Sequence, residues 1–413
     1  MLSASGNSVD GPLTDAFLTR AREVALQVRA AISAALVACA VDPTKPQSLG
    51  RALRLDKSLA WKIARVVTDS DPLAAVCRLP GRTGSKLMLL ALGKGGASPA
   101  EVESVQSALL AFEQMIATHA GDRETLEIML AGVMPSGRER EEQYRKLAFV
   151  GNSAVFGVRA RAQLAAQFVA PNPADPGRLD SAIVTALLGL VRLRPETPWA
   201  VATVRAYDGV GQENIPGFTG AIDPAGLTPD GLPFMPAFCS KPLPRVQVRT
   251  LPSGADRFEL APVPVGQTAA MDCVTGWFQR SCVPIGRTDV ERFGEHIVRV
   301  ITPAEVVVFD YFAHRSMLFA HRPELEVYSM FPGGPVYPLH GRESGRLPIG
   351  VEPEALDVPN ITCDEVEGYP AMIDATMARL GWDARDFVGL RVRIPYPPVP
   401  SMMVLRYELP VLV

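Results

Sequence analysis

The sequence predicts an α+β protein with two domains: a helical domain over residues 1–150, then a large antiparallel β-rich domain, a sandwich or barrel-like sheet, over residues 151–413. Three observations support this prediction. The chain has 413 residues, more than one compact core usually holds. Only 7 of its 37 prolines lie in the first 150 residues, and proline disrupts long helices. Apolar residues recur every three or four residues in the first part of the chain and every second residue after residue 154.

Apolar spacing and capping signals predict the helices of the first domain. Apolar residues recur at three- and four-residue steps across residues 13–40, which predicts one long helix and a candidate dimer surface. The sequence Ser-Pro-Ala-Glu at 98–101 is typical of a capped helix start. The sequence "DRETLEIMLAG" at 122–132 predicts a helix that ends at Gly132. The mixed charges at 137–147 indicate a solvated helix face.

A two-residue alternation predicts the strands of the second domain. It begins in residues 154–168 and returns at 181–194 and 199–207, which are separated by "PETP" and therefore predict a hairpin. A second hairpin is expected over residues 244–263, with Pro-Ser-Gly-Ala-Asp as its turn. Later strands are predicted at 296–302, 304–312, 325–331, 389–394 and 402–409.

Two stretches of the second domain depart from this alternation. Residues 208–243 contain much Gly and Pro with little periodicity, which predicts a long ordered loop over the sheet. Residues 369–382 have helical spacing and interrupt the late strands. Many strands with few helices favour a sandwich or a curved, barrel-like sheet.

Composition limits the classes of function that the chain can serve. The formal net charge of −3 excludes a wholly basic nucleic-acid coat but permits a local basic face. The six cysteines have no C-x-x-C spacing, as expected of reduced thiols in a cytoplasmic protein. The first residues lack the pattern of a secretory signal, and the charges within residues 13–40 argue against a membrane span. We therefore expect a soluble, cytoplasmic protein.

Signals for catalysis, cofactors and metals are weak. The sequence "LPGRTGSKLMLLAL" at 79–92 is similar to a phosphate-binding loop, but its glycines and lysine have the wrong spacing. Asp310 and His314 are four residues apart on a predicted strand, about 13 Å, which is too far to chelate one ion. No cofactor and no metal site is therefore predicted, and no catalytic residue is named.

The stretch "SLGRALRLDKSLAWKIARVV" at 48–67 has the pattern of two helices joined by a tight turn. Leu55 is expected to fill the turn, and Asp56 to cap the second helix. The residues spaced to face one core are Leu49, Ala52 and Leu53 on the first helix and Leu59, Ile63 and Val66 on the second. The opposite side of the second helix is termed the basic face, and it consists of Lys57, Ser58, Trp61, Lys62 and Arg65.

Positive charge is concentrated in the same stretch. Residues 45–65 contain six basic residues and one acidic residue, Asp56, within a chain whose net charge is −3. Because the affinity for nucleic acid grows with the number of phosphates that are neutralised, this local excess favours phosphate binding.

Residues 47–67 resemble the helix-turn-helix motif of bacterial DNA-binding regulators. The matching sequence is "LGRALRLDKSLAWKI" at 49–63, which departs from the motif at Arg54, where the family usually has glycine in the turn. The resemblance implies that the residues approaching base edges are Lys57, Ser58, Trp61 and Lys62. It implies phosphate contacts from Arg51, Arg54 and Arg65. The rest of the chain loosely resembles uncharacterised bacterial proteins, which implies no activity.

Three functions are open from the sequence. The first is a transcriptional regulator that binds double-stranded DNA through residues 56–67, forms a homo-oligomer, and uses its β-rich domain to sense a small-molecule ligand or to join subunits. The second is a self-assembling structural protein built by the β-rich domain, with no role in DNA binding. The third is an enzyme with an unidentified site in that domain. The alternative to a DNA-binding motif is that residues 48–67 form only a helical hairpin. In that case the basic face is solvated and has no ligand, and Trp61 packs against a neighbouring helix.

Overall fold

The computed structural model describes residues 12–131, 137–204, 220–250, 256–261, 265–289, 291–331 and 342–411. The chain separates into two compact units, Met1–Glu141 and Glu142–Val413. Helices form the first unit and strands dominate the second, so the predicted α+β class is confirmed. The division lies within a helix that also contains residue 150, the predicted boundary.

Eight helices are described in the N-terminal part of the chain. They are α1 (Pro12–Ala38), α2 (Pro46–Leu53), α3 (Lys57–Thr68), α4 (Pro72–Val76), α5 (Arg82–Gly95), α6 (Pro99–His119), α7 (Arg123–Ala131) and α8 (Gly137–Phe156). The predicted helices at 13–40 and 122–132 correspond to α1 and α7, although Gly132 lies outside the described residues.

The core of the helical unit forms around α1. Four of its side chains, at the predicted three- and four-residue spacing, have no solvent exposure: Ala21, Val24, Val28 and Ile32. They share one apolar cluster with residues of α2 to α7. The start of α6 is fixed by the predicted capping box, in which the Ser98 hydroxyl accepts from the Glu101 N–H at 3.3 Å and the Glu101 carboxylate accepts from the Ser98 N–H at 2.6 Å.

The second unit contains thirteen described strands and one further helix. The strands are β1 (Val158–Pro171), β2 (Arg178–Arg192), β3 (Ala200–Val204), β4 (Gly220–Ala221), β5 (Val246–Thr250), β6 (Asp256–Leu260), β7 (Met271–Pro284), β8 (Phe293–Val300), β9 (Ala304–His314), β10 (Glu324–Ser329), β11 (Glu354–Leu356), β12 (Phe387–Pro395) and β13 (Ser401–Glu408). The helix is α9 (Tyr369–Leu380). All five predicted late strands and the helix predicted at 369–382 are confirmed.

The described strands form three sheets. The large sheet has seven strands in the order β11-β12-β9-β1-β2-β7-β4, and the others have the orders β10-β13-β8 and β3-β6-β5. Strand pairing is antiparallel except between β1 and β9, which are parallel with Gln163 opposite Val307. The β-rich domain predicted as antiparallel therefore contains one parallel pair among its described strands. The chain leaves the large sheet after β7, forms β8 in another sheet, and returns as β9 beside β1.

The large sheet is the middle layer of the β-rich unit. Alternate side chains of β1 point to its two faces, as a two-residue period requires. Leu164 and Phe168 belong to a core that includes residues of α9 and β6. Ala165 and Val169 belong to a second core shared with β8, β9 and β13. The predicted sandwich is thus present as sheet-on-sheet packing on one face, with a helix and a small sheet on the other.

Three details of the predicted strands need correction. Residues 154–156 are still helical, because the chain turns at Gly157 (φ +71) before β1 begins. The predicted hairpin of 181–194 with 199–207 does not form: both edges of β2 are occupied by the long strands β1 and β7, and β3 pairs with β6 instead. Strand β7 is an addition to the strands that the alternation predicts.

The structure also describes the second predicted hairpin and part of the predicted long loop. Strands β5 and β6 pair with Val246 opposite Leu260, which confirms the second predicted hairpin, although most of its turn lies outside the described residues. The predicted loop at 208–243 is described only from residue 220 onward. There it contains β4 and two short 3-10 segments, Pro224–Gly226 and Pro236–Phe238, in an otherwise irregular path.

Candidate nucleic-acid interface

Helices α2 and α3 are joined by a three-residue turn that has the predicted geometry. Arg54 ends α2 in the left-handed conformation, with φ 51 and ψ 44. This conformation lets the Leu55 N–H donate to the Gly50 carbonyl at 2.9 Å. Asp56 then caps α3, because its carboxylate accepts from the Leu59 N–H at 3.0 Å. Arg54 therefore adopts the backbone conformation for which the resembling family uses glycine.

The two helices pack through the predicted apolar residues, with one correction. Five of the six predicted residues are buried, each less than a tenth exposed: Leu49, Leu53, Leu59, Ile63 and Val66. The spacing predicts that Ala52 faces the core, but this residue is exposed, and Gly50 is buried in its place. Around the axis of α2, the buried side is defined by Leu49, Gly50 and Leu53, and position 52 lies outside that side. At Gly50 the helices are close, since a Cβ there would lie 3.2 Å from the Ala60 Cβ.

All seven residues that the sequence assigns to DNA contacts are exposed: Arg51, Arg54, Lys57, Ser58, Trp61, Lys62 and Arg65. The basic face follows α3 at steps of one, three and four residues, so its five members lie on one side of the helix. Arg51 lies on α2 and Arg54 in the turn. Within the described part of the chain, no carboxylate forms an ion pair with any of the five basic side chains in this set.

Trp61 is an exposed aromatic residue in the middle of the basic face. Its side chain is 41% exposed, a large value for the most bulky apolar residue. The guanidinium carbons of Arg65 and Arg78 each lie 5.5 Å from the centroid of its ring, within cation–π range. Trp61 is thus partly covered by arginines and partly open to solvent.

Arg78 belongs to the same surface, although no sequence motif assigns it there. It follows α4, and its Nε lies 3.3 Å from a carboxylate oxygen of Asp69, the residue after α3. Its distance from Trp61 in the chain hides this proximity, because α4 and a turn bring it back to the end of α3. No periodic signal in the sequence connects the two positions.

The C-terminal end of α3 is attached to α1 by Arg29. Its Nε donates to the Val66 carbonyl at 3.2 Å, and its Nη2 donates to the Asp69 carbonyl. These carbonyls are among those that a helix end leaves without a partner, and a cation there also interacts favourably with the helix dipole. Arg29 therefore holds the orientation of α3 within the helical unit.

The β-rich unit contains a buried ion pair that connects β9, β12 and α9. Arg391 donates from Nε and Nη2 to Asp310 at 2.8 and 2.7 Å, and the Tyr369 hydroxyl donates to the same carboxylate. Burial disfavours the charge on Arg391, but the Asp310 carboxylate raises its pKa above the ordinary value. Asp310 and His314 do not converge: His314 Nδ1 is 2.8 Å from the Ser316 hydroxyl. The network is satisfied internally.

A second polar cluster lies between the large sheet and the sheet of β8, β10 and β13. His296 Nδ1 is 3.1 Å from the Gln167 side-chain oxygen, and its Nε2 is 3.3 Å from the Tyr407 hydroxyl. Burial lowers the pKa of His296 to about 4. The ring is therefore neutral at neutral pH and acts as a hydrogen-bonding part of the core.

Metal ligands and reactive thiols are the remaining candidates for chemistry. Among the described residues, no group of three or more His, Cys, Asp or Glu side chains is arranged to hold a metal ion. All six cysteines are free thiols, and burial raises the pKa of Cys363 to about 11, so that thiol stays protonated at neutral pH.

None of the helices, as far as the chain is described, combines the length and apolar character needed to span a bilayer. Comparison with family models, curated proteins and solved structures finds no match to the chain.

Proposed function

We propose that this protein binds double-stranded DNA, with α3 as a recognition helix in the major groove, and that it acts as a transcriptional regulator of the bacterial type. The observation that carries the proposal is the outer surface of α2 and α3, where five basic side chains are exposed without an ion-pair partner among the described residues. A surface of this kind binds a polyanion by releasing the counterions of its phosphates.

The geometry of the helix pair supports the same proposal. A recognition helix needs one face fixed to a core and the other available to the groove. On α3, Leu59 and Ile63 fix one face of the helix to the core, and the basic face is available to the groove. Lys57, Ser58, Trp61 and Lys62 are assigned to base edges, where amine and hydroxyl groups donate to acceptors. Arg51, Arg54 and Arg65 are assigned to phosphates, which set the register of the protein on the duplex.

The β-rich unit is assigned a regulatory role in this proposal. Regulators with a helix-turn-helix bind paired half-sites as dimers, so we infer a homo-oligomer in the cytoplasm. The unit either senses a small-molecule ligand or joins the subunits. Its size and its several distinct cores are consistent with both roles.

The test is fluorescence anisotropy of a labelled, random-sequence DNA duplex titrated with the full chain. Three arginines on phosphates predict a slope of about −2.7 in a plot of log affinity against log salt concentration. That slope corresponds to a roughly 40-fold loss of affinity between about 50 and about 200 mM salt. The double substitution Lys62→Ala/Arg65→Ala should reduce the slope by about 0.9 and weaken binding about tenfold or more.

The matched control removes the same charge from the β-rich unit. Arg287→Ala/Arg322→Ala replaces two exposed cations for which no ion pair is described, and it should leave both the affinity and the salt slope unchanged. Equal losses in the two double variants would mean that net charge, and not the basic face, governs binding. Absence of binding at the lower salt concentration would reject the proposal. The self-assembling protein would then be the leading alternative, tested by sedimentation of the chain over a range of concentrations.

A further inference from the structure

Arg78 is placed beside the basic face although it lies outside the helix-turn-helix. Its guanidinium is 5.5 Å from the Trp61 ring centroid, on the exposed side of α3. Its side chain is 40% exposed, so part of the guanidinium reaches solvent. The two residues that hold it, Trp61 and Asp69, both belong to α3 or its immediate end.

The contacts of Arg78 occupy only one side of its guanidinium. The Asp69 carboxylate lies 3.3 Å from Nε, and Trp61 offers its ring to the planar group. The terminal nitrogens Nη1 and Nη2 have no hydrogen-bond partner among the described residues. The nearby ring and carboxylate restrict the side chain before a ligand binds, although Nε itself makes no hydrogen bond in the described structure. Its free end presents two parallel donors, the geometry that fits two oxygens of a phosphate.

We propose that Arg78 is a DNA-binding residue that donates from its terminal nitrogens to a backbone phosphate next to the groove occupied by α3. Asp69 and Trp61 are positioning residues for this contact. The inference rests on the proposed function and deepens it, because it adds a fourth phosphate contact from outside the motif and thereby changes the expected salt slope of the native chain from about −2.7 to about −3.6. A phosphate, and not a base, is the partner because Arg78 lies at the C-terminal end of α3, whereas base contacts come mainly from the N-terminal part of such a helix.

The decisive variant is Arg78→Ala/Asp69→Asn, which removes the contact without changing the net charge. The asparagine side chain keeps an oxygen that can accept from the Asp71 N–H, as the Asp69 carboxylate does in the native chain. Compared with Asp69→Asn alone, this double variant should bind random duplex DNA about threefold to tenfold more weakly at about 0.1 M salt, and its salt slope should be smaller by about 0.9. The loss should be the same for duplexes of different sequence, since phosphates carry no sequence information.

The matched control is Arg20→Ala, which removes an exposed, ion-paired arginine from α1 in the same unit. It should not alter the slope. Far-UV circular dichroism of each variant checks that the helices stay folded, and Arg78→Lys provides a second variant that keeps the charge but loses the two-pronged donor. Arg78→Lys should recover only part of the slope.

Two failures are distinguishable. If the native chain binds and Lys62→Ala/Arg65→Ala weakens it, but Arg78→Ala/Asp69→Asn binds like Asp69→Asn, the role of Arg78 is overturned and the proposed function stands. If the native chain shows no salt-dependent binding, the proposed function and the role of Arg78 are both rejected.

Discussion

The turn at Arg54 gives the most direct test of the helix-turn-helix geometry. Arg54 has φ 51 and ψ 44, a left-handed conformation that costs a residue with a Cβ about 1–2 kcal/mol. Glycine does not have this cost, but it loses about 0.5–1 kcal/mol because its unfolded state has more backbone freedom. We therefore expect Arg54→Gly to stabilise the helical unit by about 0.5–1 kcal/mol, and Arg54→Ala to leave the strain in place.

The same substitution should weaken DNA binding. Arg54 is assigned to a phosphate, so its loss removes about 0.9 from the salt slope whether Gly or Ala replaces it. Stability and affinity then change in opposite directions in Arg54→Gly, while in Arg54→Ala only the affinity falls. This separation distinguishes a folding effect of the turn from a binding effect of the side chain.

Thermal melts followed by circular dichroism at the helical minimum measure the stability, and anisotropy titrations measure the affinity. A gain of about 1 kcal/mol at the transition corresponds to a rise of a few degrees in Tm for a unit of this size. Arg51→Gly is the matched control, because position 51 lies inside α2, where glycine costs about 1 kcal/mol relative to alanine. If Arg54→Gly proves no more stable than Arg54→Ala, the turn is not left-handed and the assigned motif is wrong.

Three further predictions concern stability. Because the pKa of His296 is lowered from 6.5 to about 4 in the folded chain, the unfolded chain binds the extra proton first. Stability should therefore fall by about 3 kcal/mol from pH 6.5 to 4, and urea melts of His296→Phe should lack this part of the pH dependence. The substitution Asp310→Ala should lower the free energy of unfolding by about 3–5 kcal/mol, because it leaves Arg391 buried without its partner. Adding Arg391→Met should recover much of this loss in denaturant melts. Strictly additive losses would contradict the coupling between the two residues. Ser98→Ala should lower helical stability by about 1 kcal/mol through loss of the cap of α6, and an unchanged melt would refute that role.

The sequence predicts those elements whose own side chains define a periodic pattern. The stripe of α1 and the alternation of β1 are local properties, so both can be recognised from the order of residues alone. Strand β7 has no such pattern, and Gly276 lies in its centre. A Cβ at Gly276 would be 2.7 Å from the Met235 sulfur and 2.9 Å from Ile222 Cδ1. The glycine is required by a loop that crosses the strand, and this tertiary reason weakens the local strand signal.

Some residues of the candidate site can be predicted from a local pattern in the sequence, and others depend on the tertiary structure. The outward direction of Lys57, Lys62 and Arg65 follows from helical spacing alone, and the structure places all three side chains in solvent. Arg78 does not follow from spacing, because its place depends on how α4 returns the chain toward α3. Ala52 shows the converse error: apolar character suggests burial, but the close approach at Gly50 rotates the buried side of α2 away from it.

The local electrostatics of α3 favour a binding role over a purely structural one. Between its cap Asp56 and Asp69 the helix contains no acidic residue, and Lys57 occupies its first turn, where the helix dipole favours a negative charge. Lys62 and Arg65 are three residues apart on one side, so their like charges repel by a few tenths of a kcal/mol. Together with the strained turn at Arg54, these are three separate departures from what would stabilise the helix pair most. Departures of this kind are expected at functional sites. A phosphate backbone against the basic face would reverse the two electrostatic costs.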